Sequence, residues 1–328
     1  MRVIVTGGAG YIGSHAVREL ARRGHKVVVY DNLSTGYRAL AKGFEMVEGD
    51  IGDRSRLASA LKGADAVMHF AAHAYVGESV ENPRKYFHNN VECALTLLNT
   101  AIDASIRNFV FSSTCAVYGI PVKVPIREDN PREPINPYGA TKLLFEHALE
   151  AYSKAYGLRF AALRYFNAAG ADSSGDIGEW HEPETHLIPL ALQAAAGMRP
   201  GIDVFGRDYP TPDGTCIRDY IHVNDLADAH VLALEYLANG GASTAMNLGT
   251  GRGHSVLEVL AEVEAVTDRP LKRRYADRRP GDPPALVADP ARAAQVLGWK
   301  AHRSLKEIVG SAWQWLRNSR KVLACVQG

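Results

Sequence analysis

The residues best suited to chemistry lie in the segment Asn136-Pro137-Tyr138-Gly139-Ala140-Thr141-Lys142. Asparagine at an N-cap followed by proline at the first helical position predicts a helix start, so Tyr138 and Lys142 share one helix face. A phenol has a pKa of about 10 and is a poor base at neutrality, but a neighbouring ammonium lowers that pKa. The pattern predicts that Tyr138 is a general base towards a hydroxyl group and that Lys142 assists it. Taken alone, the same spacing also fits an ordinary surface pair.

Hydroxyl side chains upstream support the chemical interpretation. The apolar run 108–111 ends in Ser112, Ser113 and Thr114. These hydroxyls therefore follow a predicted strand, where ligands bind in parallel sheets. Thr114 is placed to bond the same substrate oxygen as Tyr138 and to share its proton. Together with a glycine-rich turn, these residues predict the oxidation of an alcohol by a bound cofactor.

The glycine-rich turn follows the apolar run 2–6. Gly8, Gly10 and Gly13 match the G-x-G-x-x-G pattern of dinucleotide-binding turns. We expect the first two glycines to allow a tight turn and a close backbone approach, and the third to let the next helix pack on the strand. The free N–H groups at the helix start then face a pyrophosphate.

The second apolar run, 26–30, ends in Asp31, 18 residues after Gly13. A carboxylate at this position binds both ribose hydroxyls of the adenosine and repels a 2′-phosphate. We therefore predict NAD rather than NADP as the cofactor. The alternative is that Asp31 only caps a loop.

Apolar runs alternate with helical patterns through the first half of the chain. We predict strands at 2–6, 26–31, 44–48, 66–70, 108–112 and 160–164, and helices at 14–23, 83–104 and 137–156. This alternation predicts an α/β fold with a Rossmann-like, doubly wound parallel sheet and a smaller, interleaved C-terminal substrate-binding domain. A strand at 245–249 is expected to return to the sheet, with later helices at 255–267 and 305–317. The expected domains are residues 1–168, joined by about 218–250, for NAD, and 169–328 for the substrate.

Composition excludes several classes of function. The 328 residues are 46% hydrophobic and 22% charged, as in a globular protein of about two domains. The net charge of +1 predicts no binding to nucleic acid or membranes, and no apolar run approaches the roughly 20 residues that span a bilayer. The N-terminal strand predicts no signal peptide. The scattered cysteines predict reduced thiols in the cytoplasm, namely Cys93, Cys115, Cys216 and Cys325.

Nearly end to end, the chain resembles the extended short-chain dehydrogenases/reductases, and within them the UDP-glucose 4-epimerase (UDP-galactose 4-epimerase) family. Motifs that mark the superfamily lie at residues 6–14, 31–33, 49–51, 69–72, 112–119 and 138–142. Other matching segments lie at 76–80 and 89–91. Segments more specific to the epimerases are Leu163-Arg164-Tyr165-Phe166-Asn167, Phe205-Gly206-Arg207-Asp208-Tyr209-Pro210, Arg218-Asp219-Tyr220-Ile221-His222-Val223 and Asn247-Leu248-Gly249.

This resemblance implies a role for each motif. Tyr138 is the base, Lys142 tunes it and holds the nicotinamide ribose, and Thr114 takes the serine/threonine role. The residues implied to bind NAD are Gly7, Gly10, Tyr11, Ile12, Gly13, Asp31, Asn32, Asp50, Ile51, Phe70, Ala71, Ala72, Asn89, Ser112, Tyr138, Lys142 and Tyr165. Those implied to bind a UDP-sugar are Thr114, Tyr138, Asn167, His186, Leu187, Phe205, Arg218, Arg279 and Asp282. Independently of the resemblance, the planar guanidinium groups of Arg218 and Arg279 suit a diphosphate.

The implied reaction is a reversible oxidation at C4 of the hexose. Tyr138 takes the hydroxyl proton, the hydride passes to tightly held NAD, and the transient 4-keto sugar turns before the hydride returns to its opposite face. A homodimer built on helices 83–104 and 137–156 is expected by the same analogy. A catalytically silent NAD- or nucleotide-sugar-binding protein is the alternative from another class.

Departures from the family pattern bear on the reaction and the sugar. Related dehydratases carry Asp-Glu after the threonine, where this chain has Cys115-Ala116, so dehydration is disfavoured. Leu286 stands where a tyrosine excludes N-acetyl sugars in some relatives, which leaves UDP-N-acetylhexosamines as alternative substrates. Residues 73–78 resemble UDP-xylose/arabinose 4-epimerases, a further alternative. His69 and His73 have no acidic partner at zinc spacing, so no metal site is predicted.

Overall fold

A seven-stranded parallel sheet forms the centre of the protein in the computed structural model, which describes residues 1–279 and 281–326, with side chains up to residue 319. Its strand order is β11-β6-β5-β4-β1-β2-β3. The strands along the chain are β1 (Arg2–Thr6), β2 (Lys26–Asp31), β3 (Glu45–Glu48), β4 (Ala66–His69), β5 (Asn108–Thr114), β6 (Arg159–Tyr165), β7 (Asn167–Ala169), β8 (Ile202–Phe205), β9 (Ile217–Arg218), β10 (Tyr220–His222), β11 (Thr244–Leu248), β12 (His254–Ser255), β13 (Arg273–Ala276) and β14 (Ala285–Leu286).

Helices cover both faces of this sheet and fill a second lobe. They are α1 (Tyr11–Arg22), α2 (Arg54–Leu61), α3 (Val76–Glu81), α4 (Pro83–Phe87), α5 (Ala94–Asp103), α6 (Pro137–Tyr156), α7 (Leu187–Ala195), α8 (Val223–Ala238), α9 (Val256–Thr267), α10 (Ala291–Leu297) and α11 (Leu305–Val326). A π-helical turn, His88–Cys93, joins α4 to α5, and short 3-10 helices lie at Arg38–Ala41 and Cys115–Tyr118. No helix of the described residues is both long enough and apolar enough to cross a bilayer.

The alternation of β1 side chains explains the two covered faces. Val3 and Val5 pack in one core cluster with residues of α1 and α8, while Ile4 packs in another with residues of α2, α5 and α6. Successive strand residues point to opposite faces, so a strand apolar throughout must be covered twice. The predicted α/β, doubly wound parallel sheet is confirmed.

Strand order reverses beside β1, which lies between β2 and β4. In open α/β sheets the crevice beyond the carboxyl ends of the strands at such a point binds ligands. The chain enters the smaller sheets after β6 and then returns through α8 to β11, which pairs with β6. The second lobe is built on α7, α9 and α11, whose apolar residues share a separate core cluster.

Most predicted elements differ from the structure only at their ends, but two helices differ more. The predicted helix 83–104 contains the π-helical turn at His88–Cys93, within which Asn90 donates to the His73 carbonyl and to the Thr141 hydroxyl. These long-range bonds leave no trace in the helical periodicity. The helix predicted at 305–317 continues to Val326.

A buried ion pair holds α6 against the sheet. The Glu146 carboxylate accepts from Arg164 of β6 at 2.9 and 2.6 Å and from the Ser113 hydroxyl of β5 at 2.6 Å. Glu146 and Arg164 are 1% and 2% exposed. Removing one member of such a pair leaves an uncompensated buried charge. The pair therefore fixes the helix that carries Tyr138 against the two strands beside it.

We expect Glu146→Gln to lower the free energy of unfolding by about 3–5 kcal/mol, because the Arg164 guanidinium then stays buried without its counter-charge. Urea unfolding followed by circular dichroism measures this change. Glu150→Gln is the matched control on the same helix, since Glu150 is 41% exposed and pairs with Arg132 at 3.2 Å and with His147 at 3.7 Å. Its expected cost is below about 1 kcal/mol. Equal costs for the two variants would contradict this account of α6.

Candidate active site

The glycine turn lies at the point where the strand order reverses. Gly7 has a φ of +72°, and a Cβ there would lie 2.5 Å from the Ala71 backbone nitrogen after β4. A Cβ on Gly13 would lie 2.2 Å from the Gly7 carbonyl oxygen. A Cβ on Gly10, the N-cap of α1, would meet only the Gly7 oxygen, at 3.3 Å, which leaves its outer side open.

These contacts correct one detail of the sequence analysis. The fingerprint predicts the tight turn at its first glycine, Gly8, whereas the structure gives the positive φ to Gly7. A Cβ on Gly8 would instead meet the side chains of Val29 and Val17 at 3.1 and 3.2 Å, so Gly8 serves packing. The turn brings Tyr11 and Ile12, at the start of α1, to the same crevice as the segment Phe70, Ala71 and Ala72 after β4.

The residues expected to bind the adenosine part of NAD lie around Asp31. Its carboxylate is buried and accepts from the backbone N–H groups of Ala9 and Leu33 at 2.9 and 2.8 Å, although burial raises its pKa. Asn32 donates to the Asp50 carboxylate at 2.8 Å, and both side chains are exposed. Ile51 is buried in the core beneath them. The four residues thus meet where β2 and β3 end.

The expected catalytic residues come together between α6 and β5. Asn136 caps α6 by accepting from the Gly139 N–H at 2.8 Å, and this aims Tyr138 and Lys142 at the sheet. Lys142 is 3% exposed, and its ammonium donates to the Ser112 carbonyl at 2.9 Å and lies 5.9 Å from the Tyr138 ring centroid. Thr114 ends β5, and its hydroxyl faces the Tyr138 phenol.

Burial dominates the electrostatics of these groups. It raises the pKa of Tyr138 far above its ordinary value, and the hydroxyl of Thr114 offsets only part of this rise. Burial also lowers the pKa of Lys142 to about 7, against a smaller opposite effect of the Glu146 carboxylate. The expectation that Lys142 lowers the pKa of Tyr138 is therefore not met in the protein without cofactor, because desolvation opposes both charged forms.

Three further expected cofactor residues and one neighbour surround this group. The Ser112 hydroxyl bonds the Tyr165 hydroxyl at 2.7 Å. Asn89 lies in the π-helical turn and donates to the Asn90 side chain at 2.9 Å. Sequence reasoning missed the role of His69, which ends β4 beneath Lys142 and bonds the Thr6 hydroxyl at 2.7 Å. Burial, reinforced by the Lys142 charge, lowers the pKa of His69 to about 3, so the imidazole stays neutral.

The expected substrate residues lie in the second lobe and its strands. Asn167 begins β7, and Arg279 stacks its guanidinium on the Phe205 ring at 4.2 Å. Arg218 is buried, ion-pairs with Asp282, and donates to the Ile217 carbonyl at 2.7 Å. Its guanidinium fork was expected to be free for a diphosphate but is partly occupied, because a buried cation requires a counter-charge.

His186 is in different surroundings from those expected. The resemblance implies a uridine contact for His186, but its Nδ1 lies 2.8 Å from the Glu179 carboxylate and 3.0 Å from that of Glu184. The nearby buried carboxylates attract the imidazole. Leu187 follows it as the first residue of α7 and packs on the second-lobe core.

The residues of the crevice fit a dinucleotide. Gly7 and Gly13 keep the turn free of side chains. A Cβ on Gly7 would clash with the Ala71 backbone, and a Cβ on Gly13 would clash with the Gly7 carbonyl. The open side of Gly10 and the start of α1 leave N–H groups for a pyrophosphate. Asp31 offers a carboxylate at the end of β2, where a ribose is bound in this type of fold.

Comparison with known proteins agrees with this site. The profile of the NAD dependent epimerase/dehydratase family matches residues 3–249, which is more than half of the chain. The chain belongs to this family. A UDP-glucose 4-epimerase of Rhizobium meliloti is 55% identical over 95% of this chain and 96% of its own length. The family prediction made from the sequence is confirmed, and with it the dependence on NAD.

Solved structures of other family members share the fold. A Brucella ovis UDP-glucose 4-epimerase in complex with NAD is 53% identical, with a TM-score of 0.93 over 95% of this chain and 97% of that one. A Stenotrophomonas maltophila UDP-glucose 4-epimerase with bound NAD and formylated UDP-arabinopyranose is 42% identical, with a TM-score of 0.95 over 98% and 99%.

We expect Gly13→Ala to lower the affinity for NAD at least about tenfold, or about 1.4 kcal/mol, because its Cβ displaces the Gly7 carbonyl and distorts the turn. The measurement is the NAD content of the purified protein together with calorimetric titration of the remaining sites. Gly310→Ala in α11 is the control, since nothing lies within 4 Å of its added Cβ. Unchanged NAD content in a folded Gly13→Ala protein would refute this role of the turn.

Proposed function

We propose that this protein is a UDP-glucose/UDP-galactose 4-epimerase that inverts C4 of the sugar through a transient 4-keto intermediate. The observation that carries the proposal is the buried group of Thr114, Tyr138 and Lys142 beside the dinucleotide crevice. Similarity to UDP-glucose 4-epimerases over nearly the whole chain supports it.

Tyr138 is the proposed general base. Its phenolate oxygen takes the proton of the C4 hydroxyl while the C4–H electron pair leaves and the C4 carbonyl forms. Thr114 donates a hydrogen bond that stabilises the phenolate, and Lys142 supplies the adjacent positive charge. The proton returns from Tyr138 to the same oxygen once the sugar has presented its other face.

NAD supplies the acceptor for the C4 hydride, returns it, and brings a positive charge near Tyr138 when bound. Lys142 is fixed for this task by the Ser112 carbonyl at 2.9 Å, and Ser112 also orients Tyr165. The buried group excludes water, which strengthens every charge interaction within it. The positive charges of Lys142 and of bound NAD oppose the desolvation that favours the protonated form of Tyr138.

The residue after Thr114 argues against the related dehydratase reaction. Dehydration of the keto sugar requires a further acid and base, and the two positions after Thr114 hold Cys115 and Ala116. Burial raises the pKa of the Cys115 thiol to about 12. A thiol of that pKa does not exchange protons effectively near neutrality.

The nucleotide end of the substrate is assigned to the second lobe. Arg218 and Arg279 supply positive charge for the diphosphate, and the Phe205 ring under Arg279 keeps that guanidinium in place. Asp282 orients Arg218, and Asn167 is proposed to bind the sugar. Anchoring through the nucleotide leaves the sugar free to turn over.

Residue 286 bears on which sugars the site accepts. Leu286 packs in the same apolar cluster as Phe166 and as Cys115, the residue after Thr114. A leucine is smaller than the tyrosine found there in some relatives, so UDP-N-acetylhexosamines are the second candidate substrates. UDP-arabinopyranose-type pentoses are a third, supported by the ligand of the Stenotrophomonas maltophila enzyme.

We also propose a cytoplasmic homodimer. The helices α3, α4 and α6 pack against one another, and each carries an exposed apolar side chain, namely Val80, Phe87 and Leu144. These exposed side chains support pairing of the helices with those of a second copy. Cys93, Cys115 and Cys216 are free thiols, as favoured by a reducing compartment, while Cys325 lies outside the described side chains.

We expect Tyr138→Phe to lower kcat with UDP-galactose by about 10²–10⁴-fold, because it removes the general base. The assay separates products by C4 configuration, without added NAD, across UDP-glucose, UDP-galactose, UDP-N-acetylglucosamine and UDP-xylose. Tyr156→Phe on the exposed end of the same helix is the control.

Stoichiometric consumption of added NAD would indicate a dehydrogenase instead. Binding of UDP-sugars without any turnover by the wild-type protein would indicate the non-catalytic alternative. Either result, or near-normal turnover by Tyr138→Phe, contradicts the proposal.

A further inference from the structure

Four metal-ligating side chains converge in the segment between β7 and α7. Glu179, His181, Glu184 and His186 each offer one ligand atom, and these atoms all lie within 4.8 Å of one another. We call them the Glu179–His186 cluster. Glu179 and Glu184 are only 6% and 7% exposed, so they are not part of a solvated acidic surface. The proposed epimerase chemistry uses none of the cluster.

The spacing of the ligand atoms suits a tetrahedral ion. Zinc binds imidazole nitrogen and carboxylate oxygen at about 2.0–2.2 Å, which sets ligand atoms about 3.4 Å apart. The Nδ1 atom of His181 lies 3.2 and 3.7 Å from oxygens of Glu179 and Glu184. The Nδ1 atom of His186 lies 2.8 and 3.0 Å from oxygens of the same two carboxylates.

Hydrogen bonding within the cluster is incomplete. The Nδ1 atom of His181 is inaccessible to solvent and, despite its nearness to Glu179, makes no hydrogen bond of acceptable geometry. Buried polar atoms normally have a partner, and an exception calls for an explanation such as an ion. An ion between the four groups would take this lone pair directly.

The charge of the cluster is compatible with a divalent cation. Two largely buried carboxylates face each other, and among the described side chains neither ion-pairs with a lysine or an arginine. Despite burial, these carboxylates raise the pKa of His181 to about 9 and that of His186 to about 10, so two protonated imidazoles balance them. One divalent ion with two neutral imidazoles carries the same total charge and can replace the two protons.

We propose that the Glu179–His186 cluster binds one Zn²⁺-class divalent ion. Four protein ligands close the coordination sphere, so the ion is structural rather than catalytic. Nitrogen ligands favour zinc and its transition-metal neighbours over Mg²⁺ and Ca²⁺, which prefer oxygen. The sequence-based prediction of no metal site rests on His69 and His73, which lie outside this cluster, and the proposal departs from it.

The contacts around the cluster indicate which segments of the chain a bound ion would hold together. The His181 ring meets those of Tyr11 and Tyr75 edge-on, at 6.2 and 5.8 Å. Tyr11 begins α1 directly after the glycine turn and donates its hydroxyl proton to the Gly170 carbonyl at 2.6 Å. The ion therefore ties the segment leading to α7 to the start of α1.

The same segment also contacts the rest of the chain on either side of the cluster. Trp180 stacks on Tyr37 at 4.3 Å, and the Glu179 carbonyl accepts from the Trp315 indole of α11 at 2.8 Å. Fixing residues 179–186 thus links the Rossmann sheet to the second lobe. An ion that binds the folded state but not the unfolded state raises thermal stability.

The test uses full-length protein treated with a chelator, dialysed and titrated with ZnCl₂ by calorimetry, with MgCl₂ and CaCl₂ as comparison ions. We expect one Zn²⁺ per chain, no comparable binding of Mg²⁺ or Ca²⁺, and a melting temperature that rises with Zn²⁺. His181→Gln and Glu184→Gln should each weaken Zn²⁺ binding at least about tenfold, as the loss of even an outer partner does.

His88→Gln is the matched control, since His88 forms an exposed pair with Glu92 at 2.8 Å and should leave Zn²⁺ binding unchanged. The wild-type titration decides the question even where a ligand variant fails to fold. Absence of stoichiometric Zn²⁺ binding by the wild type would overturn the proposal, as would binding without a rise in melting temperature. Equal binding by folded His181→Gln and Glu184→Gln proteins would place the ion elsewhere.

Discussion

Helix α6 packs so closely against β5 that the Lys142 ammonium is cut off from water and bonds the Ser112 carbonyl. This desolvation is the constraint from which the chemistry of the site follows. It opposes the charged forms of both Lys142 and Tyr138, so the Tyr138 phenol keeps its proton unless further positive charge lies beside it. The buried Glu146–Arg164 pair keeps the helix in place despite this cost. The positive charge of a bound nicotinamide ring then stabilises the Tyr138 phenolate and lowers the pKa of that phenol.

Local signals predicted the elements that position the site. Asn136 and Pro137 start α6 through contacts within one turn, and the Asn136 side chain accepts the bond that its residue type predicts. The continuous apolar runs predicted a sheet covered on both faces, because a strand without polar alternation has no side to present to solvent. Position and type of most elements depend on such short-range rules.

Features set by distant parts of the chain were not predicted. The spacing of the fingerprint identified the turn, but Gly7 rather than Gly8 takes the positive φ because the segment after β4 approaches there. The Arg218 guanidinium is partly engaged by an ion pair with Asp282, 64 residues away along the chain. The signs of the pKa shifts depend on burial, which a spacing of four residues does not reveal. The Glu179–His186 cluster has a signal in the sequence, since two histidines and three glutamates lie within these eight residues.

The central claim is that Tyr138, although buried, becomes a base when cofactor and Lys142 place positive charge beside it. Phenolate absorbance of the NAD-loaded protein, recorded against pH and corrected with Tyr138→Phe, measures this directly. The account predicts one phenol that ionises below the ordinary pKa of about 10. In Lys142→Met, with NAD still bound, its pKa should move upward. A Tyr138 that stays protonated through pH 10 in the loaded wild-type protein would contradict the account.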